Sequence, residues 1–185
     1  MGKLKKIDSS EFNFFDASVI YKSIYNPEKT ICLFLNDYSD KEHFLLALDE
    51  TLLQDKENLY IFDCYQEVPE CFIENVTEIC DKFWEFLQAL TEASQEDAFI
   101  AYLNQYYSYE YVENIDFDEA VSECNDKYNG HWNSEVEFAE HIVEDCYGLN
   151  DNLGTLAMYF DYEAFARDLF INDYEFVDGY VFSAY

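Results

Sequence analysis

The chain has 185 residues, half of them hydrophobic, with 17 Phe, 17 Tyr and 2 Trp. That supplies enough core material for one domain or for two or three small lobes, and it excludes a disordered acidic tail. Forty acids against ten bases give a formal charge of −30 at pH 7, a field that disfavours direct binding to phosphates or to anionic lipid and points to a basic partner.

The charge is unevenly placed. Residues 1–41 contain six of the bases (Lys3, Lys5, Lys6, Lys22, Lys29, Lys41) and six of the acids (Asp8, Glu11, Asp16, Glu28, Asp37, Asp40), so they are neutral. Everything beyond sets 34 acids against Lys56, Lys82, Lys127 and Arg167, and carries the whole surplus.

In chain order, Ser18–Tyr25 and Thr30–Leu35 read as short strands with Asn26-Pro27 turning between them. Ser39 with Glu42 three positions on forms a capping box for a helix whose Phe44, Ala47, Leu48 and Leu52 fall at helical spacing. Leu59–Tyr65 alternates as a third strand, completing a small α+β lobe.

From about residue 70 to 150 the period becomes 3.6, and four helices are predicted from their caps. Asn75 with Glu78 opens the first, which buries Val76, Ile79, Cys80, Phe83, Leu87 and Leu90. Ser94 with Asp97 opens the second, over Ala98, Tyr102, Leu103 and Tyr106. Asp116 with Glu119 opens the third, over Phe117, Ala120, Val121 and Cys124. Ser134 with Glu137 opens the fourth, over Val136, Ala139, Val143, Cys146 and Tyr147. A short helix follows near Asp161–Leu169. Then Asp178-Gly179, between apolar alternations, predicts a hairpin, because both central positions of its turn need positive φ. The fold class is α+β: an N-terminal lobe over 1–69, a central helical lobe over 70–115 and a C-terminal α+β lobe over 116–185.

Most chemistry is rejected. Carboxylate pairs suited to acid–base work cannot be told from this acidic background, and His43, His131 and His141 fall into no nucleophile or metalloprotease pattern; His141, among acids on a helix, reads as solvated. Asp126–Glu137 has acids at loop positions one and twelve, but Tyr128, Gly130 and His131 stand where calcium ligands and the obligate glycine belong. No glycine-rich phosphate cradle occurs, and no metal or cofactor is expected. The six cysteines (Cys32, Cys64, Cys71, Cys80, Cys124, Cys146) include no C-x-x-C pair and follow no export signal, so they read as reduced thiols in the core of a cytoplasmic protein. The longest aliphatic run, Ile31–Leu35, is too short to span a bilayer.

The remaining signal is the outward acids: Glu78, Asp81, Glu85, Glu92, Glu96, Glu110, Glu113, Asp118, Glu119, Glu123, Glu135, Glu137, Glu140, Glu144 and Asp145. An ordinary solvated face mixes both signs, whereas these helices rarely do. Duplex DNA carries one charge per ~1.7 Å of axis, so thirty surplus charges match roughly 50 Å, or about 15 base pairs. Laid along an extended body, such a surface would resemble DNA electrostatically.

The segment Tyr159-Phe160-Asp161-Tyr162-Glu163-Ala164-Phe165-Ala166-Arg167-Asp168-Leu169 resembles the C-terminal signature of the ArdA-type antirestriction proteins, which plasmids and conjugative transposons carry. Leu59–Tyr65, Glu78–Leu90 and Val177–Phe182 are similar to further parts of that family. Two departures stand out: the neutral, lysine-bearing start, and Asn150–Gly154 in place of the proline that commonly precedes the signature. The resemblance implies a curved, elongated protein of three lobes, a homodimer formed through the C-terminal lobe. It also implies a non-enzymatic DNA mimic that occupies the DNA site on the specificity and methyltransferase subunits of type I restriction–modification enzymes. In the signature, Phe160, Ala164, Phe165 and Leu169 form an apolar face flanked by Tyr159 and Tyr162, and Arg167 is expected to bond a nearby carboxylate, within the lobe or at the dimer contact. Two other classes compete: an acidic inhibitor or chaperone of a different basic DNA-binding protein, and an enzyme with a carboxylate pair.

Overall fold

The computed structural model describes residues 6–55, 57–148 and 154–185. The class is α+β, with three small antiparallel sheets, and the chain divides into two compact units, Met1–Val121 and Ser122–Tyr185.

The first unit opens with a sheet in the order β2-β1-β3: β1 (Ser18–Ser23), β2 (Thr30–Phe34) and β3 (Tyr60–Gln66). Tyr21 lies opposite Ile31 on one side and Phe62 on the other, with a register shift against β3 between Ile20 and Tyr21. Each of the two leading strands is shorter than its sequence pattern. β1 stops before Ile24 and Tyr25, which lie half or more exposed, because the Ser23 hydroxyl accepts from the Tyr25 and Asn26 amides and starts the turn early. Leu35 is fully buried and begins a helical turn.

α1 (Lys41–Gln54) is capped one residue later than expected. The Asp40 carboxylate, not Ser39, accepts from the His43 amide at 2.8 Å, while the Ser39 hydroxyl donates to that same carboxylate. An ionised cap complements the positive helix end better than a hydroxyl does.

The expected helix start at Asn75 is overturned. β4 (Ile73–Asn75) and β5 (Glu78–Ile79) form a tight hairpin with Asn75 opposite Glu78, and Val76 at its tip is 80% exposed instead of buried. The Asn75 side chain accepts from the Thr77 amide, the local turn that Asn offers as an alternative to a helix cap. The helix itself, α2, runs Lys82–Glu92 and buries Phe83, Trp84, Phe86, Leu87, Ala89 and Leu90. α3 (Glu96–Tyr106) has Gln95, not Ser94, at its N-cap position, with no side-chain cap bond, and buries Ala98 to Leu103 without a break. Tyr106, expected inside, is 41% exposed, its ring tilted against that of buried Tyr102 at 4.6 Å.

α4 (Phe117–Lys127) follows the expectation. The Asp116 carboxylate accepts from the Glu119 amide, and Phe117, Ala120, Val121 and Cys124 are buried. The core of the first unit centres on Phe72, Phe83, Phe86 and Phe117, with Phe86 5.1 Å from Phe72 and 5.7 Å from Phe117. The neutral N-terminal segment is part of it. Phe14 meets Phe86 edge-on at 5.3 Å, and Ile7 exchanges two backbone hydrogen bonds with the Asn104 side chain.

The second unit holds a sheet in the order β6-β8-β7: β6 (Tyr128–His131), β7 (Tyr174–Val177) and β8 (Tyr180–Ser183). The expected hairpin is present, Val177 pairing with Tyr180 across Asp178 and Gly179, both at positive φ. α5 (Glu135–Ile142) has the expected cap, the Ser134 hydroxyl accepting from the Glu137 amide. Its burial differs from the expected stripe. Phe138 and Ala139 are buried with Val143, Val136 is only half-buried and Cys146 is exposed. After Ile142 the chain widens into a π turn (Val143–Tyr147), which rotates later residues off the 3.6 stripe; nothing is described of the Tyr147 side chain.

α6 (Tyr162–Asn172) extends three residues beyond the expected end, with the Asp161 carboxylate accepting from the Ala164 amide. Phe160, Ala164, Phe165 and Leu169 are half-buried, and the residue of this helix that is fully covered is Ala166. Phe160, Tyr162 and Phe165 pack on Val143. Phe138 is the hub that periodicity passed over, 4.8 Å from Tyr174, 5.6 Å from Trp132 and 5.7 Å from Phe170.

Candidate functional site

In the first unit, Glu78, Asp81, Glu85, Glu92, Glu96, Glu110, Glu113, Asp118 and Glu119 are all exposed. Their neighbours inside the chain differ. Asp81 stands 3.6 Å from the Lys41 ammonium, Glu85 accepts from Lys82 at 2.5 Å, and Glu78 accepts from the Asn75 amide group. Each pair is a surface contact of small energetic weight. Asp116 spends its carboxylate on the α4 cap, which leaves Asp118 and Glu119 on the first exposed turn. There the helix dipole favours negative charge.

In the second unit, Glu123, Glu135, Glu140, Glu144 and Asp145 are exposed, and Glu137 is half-buried. Glu137 differs because it accepts from the Asn133 amide at 2.7 Å and from the Asn133 side chain at 2.8 Å, bonds that hold its carboxyl below the ordinary range. It locks the start of α5 rather than facing outward. His141 is exposed, as expected, stacks on Trp132 at 4.7 Å and lies 3.6 Å from Asp145.

Residues 122–185 contain fourteen acids and two bases, Lys127 and Arg167, so at least twelve negative charges have no cation within their own unit to neutralise them. Arg167 is exposed and forms no ion pair with a carboxylate among the described residues. In the signature, Tyr159 is 81% exposed, and Asp168 lies exposed beside Arg167 in sequence.

Among the described residues no three His, Cys, Asp or Glu side chains gather as a metal would require, and no helix is long and apolar enough to cross a membrane. The stretch Asp126–Glu137 forms the end of α4, strand β6 and the start of α5. All six cysteines are free, but Cys32 and Cys146 are exposed rather than in the core. Burial pushes the Cys71 and Cys124 thiols up to about 12, so these two are inert as nucleophiles.

One surface feature was missed from sequence. Leu45, Leu46 and Leu53 of α1 are 47%, 61% and 64% exposed. The signal was available, because α1 carries five leucines spread too widely around its axis for one buried stripe.

The model of the antirestriction protein family ArdA matches this chain over residues 25–182. No curated protein and no solved structure matches it.

Proposed function

This chain belongs to the ArdA antirestriction protein family, and on that premise we propose that it acts by imitating DNA, its carboxylates taking the place of phosphates against the lysines and arginines of a type I restriction–modification enzyme. The target site is the DNA-binding surface of the specificity and methyltransferase subunits. The mechanism is competitive occlusion, in which no bond is made or broken. The acting species in this mechanism is a homodimer formed through the C-terminal lobe, each chain having three lobes that divide at about residues 69 and 115.

The observation that carries the reading is the unneutralised charge. Beyond residue 41 there are 34 acids and four bases, and fourteen of the fifteen outward acids picked out by the helical pattern are exposed, Glu137 excepted. A protein that tolerates such self-repulsion gains from it only when a cationic surface is brought up to it. Two copies carry a formal −60, equivalent to roughly 100 Å or about 30 base pairs of duplex. The dimer contact is supported by what the C-terminal unit leaves in water: Met158, Tyr159 and Ile171 are 66–81% exposed, with Arg167 on the same helix as Ile171.

The test is an assay of cleavage and methylation of unmodified DNA by a purified type I enzyme, with the purified chain added at micromolar concentration in low salt. Inhibition that is relieved by excess DNA and weakens steeply with salt is expected. Full enzyme activity under those conditions overturns the reading.

A further inference from the structure

α1 has a conventional inner side, with Phe44 and Leu48 buried and Phe44 against Trp84 at 5.9 Å. Its outer side is unusual. At 100° per residue, Leu45, Asp49, Glu42, Leu53, Leu46 and Glu50 follow one another around the exposed arc. Three leucines that could have been placed inward are held in water, with two acids, Asp49 and Glu42, between them and a third, Glu50, beside Leu46. Leu45 and Leu46 also line one shallow groove with Lys41, Glu42, Asp49 and Asp81. Two of the leucines thus adjoin Asp81, one of the outward acids, which Lys41 contacts at 3.6 Å.

We infer that this face of α1 docks an amphipathic helix of the target protein, one whose apolar row is flanked by lysines or arginines. The leucines accept the apolar row, and Glu42, Asp49 and Glu50 receive the flanking cations, as in recognition of a helix laid along a hydrophobic groove. Charge decides the occupant. A second copy of this chain would bring Glu42, Asp49 and Glu50 against their own equivalents in a two-fold contact, and an anionic bilayer would be repelled in the same way. DNA mimicry by itself needs no leucines, since phosphates offer nothing apolar to imitate. The row therefore adds an attachment that salt does not screen. It rests on the reading that the chain acts by binding a basic protein.

The test compares full-length wild type with two variants, Leu45→Ala/Leu46→Ala/Leu53→Ala and Leu46→Glu/Leu53→Glu, in binding to a purified type I methyltransferase across 50–500 mM salt. All three side chains are substantially solvent-exposed, and circular dichroism and melting confirm that the variants fold. The alanine variant should lose on the order of tenfold in affinity at every salt concentration, with an unchanged slope of log Kd against log salt. The glutamate variant should weaken by a similar factor although it gains two negative charges. Equal or tighter binding by the glutamate variant means that the face acts through charge alone, and overturns this inference while leaving the mimicry reading intact. Absence of binding by wild type at 50 mM salt overturns both. Loss confined to low salt also counts against the leucines.

Discussion

Gly179 lies against the far edge of the His131 ring: a Cβ at Gly179 would lie 2.9 Å from His131 Nε2 and 3.3 Å from Cδ2, on a backbone at φ +90°. Two independent costs therefore attach to Gly179→Ala, a positive φ that L side chains resist and a steric overlap with a ring that meets Tyr180 edge-on at 5.0 Å. The backbone cost is about 1–3 kcal/mol. Urea unfolding should show a lower midpoint with an unchanged m-value. In the His131→Ala background the same substitution should cost less, because only the backbone cost remains.

The aromatic centre of the first unit gives a larger effect. Phe86 is fully buried and touches Phe14, Phe72, Phe83 and Phe117. Phe86→Ala should cost about 3–5 kcal/mol, from lost transfer energy plus the cavity left behind. A domain stable by about 5–15 kcal/mol, and already burdened by self-repulsion, is brought near unfolding by that loss. The variant should be partly unfolded in low salt by near-ultraviolet circular dichroism and should regain structure as salt screens the −30 charge.

Acid should loosen the first unit at one identifiable point. Asp55 accepts from Lys29, from Asn58 at 2.9 Å and from the Tyr60 hydroxyl at 2.9 Å, which ties the β1–β2 turn to the end of α1 and the start of β3. The Lys29 bond first, then those from Asn58 and Tyr60, lower its carboxyl from 3.8 to about 2. A folded-state value below the unfolded one means that the contribution is complete above pH 4 and is lost as pH falls from 3.8 towards 2. Asp55→Asn should therefore melt below wild type at pH 6, and the difference should close by pH 2. A gap that persists at pH 2 would show that packing, not charge, made the difference.

Much of this fold was legible because local chemistry and tertiary packing agree. Asp116 and Ser134 cap the helices they were expected to cap, and Asp178-Gly179 makes its turn, since positive φ and a side-chain acceptor are satisfied by neighbours in sequence. Asn75 and Glu78 failed for the same reason in reverse. Their spacing fits a capping box and equally fits the two ends of a two-residue turn, and the burial of Phe72 and Ile79 on either side favours the hairpin. The π turn at Val143 removed Cys146 from its predicted stripe, a shift that no periodicity reveals. The outward acids were legible as a set because only the exposed face of a helix tolerates them. The separate task of Glu137, bonded to Asn133, depends on contacts that sequence spacing does not specify.

Distributed mimicry makes a prediction that a carboxylate-pair enzyme does not. Asp118, Glu119, Glu135 and Glu140 are exposed, and no hydrogen bond or ion pair is made by their carboxylates among the described residues. Each single amide substitution should change inhibition of a type I enzyme by less than about threefold, as for an isolated surface charge. The combined variant Asp118→Asn/Glu119→Gln/Glu135→Gln/Glu140→Gln should lose on the order of tenfold or more in low salt and show a flatter salt dependence, because fewer of the enzyme's bound anions are released. Its melting temperature should change little, because the relief of like-charge repulsion in a chain with a surplus of thirty is offset by the loss of three carboxylates from the first turns of α4 and α5, where the helix dipole favours them. Weaker inhibition with stability retained separates a functional surface from a structural one. Destabilisation of the combined variant would instead assign these carboxylates to holding the fold. A single substitution that abolished inhibition would replace a summed field with one indispensable contact.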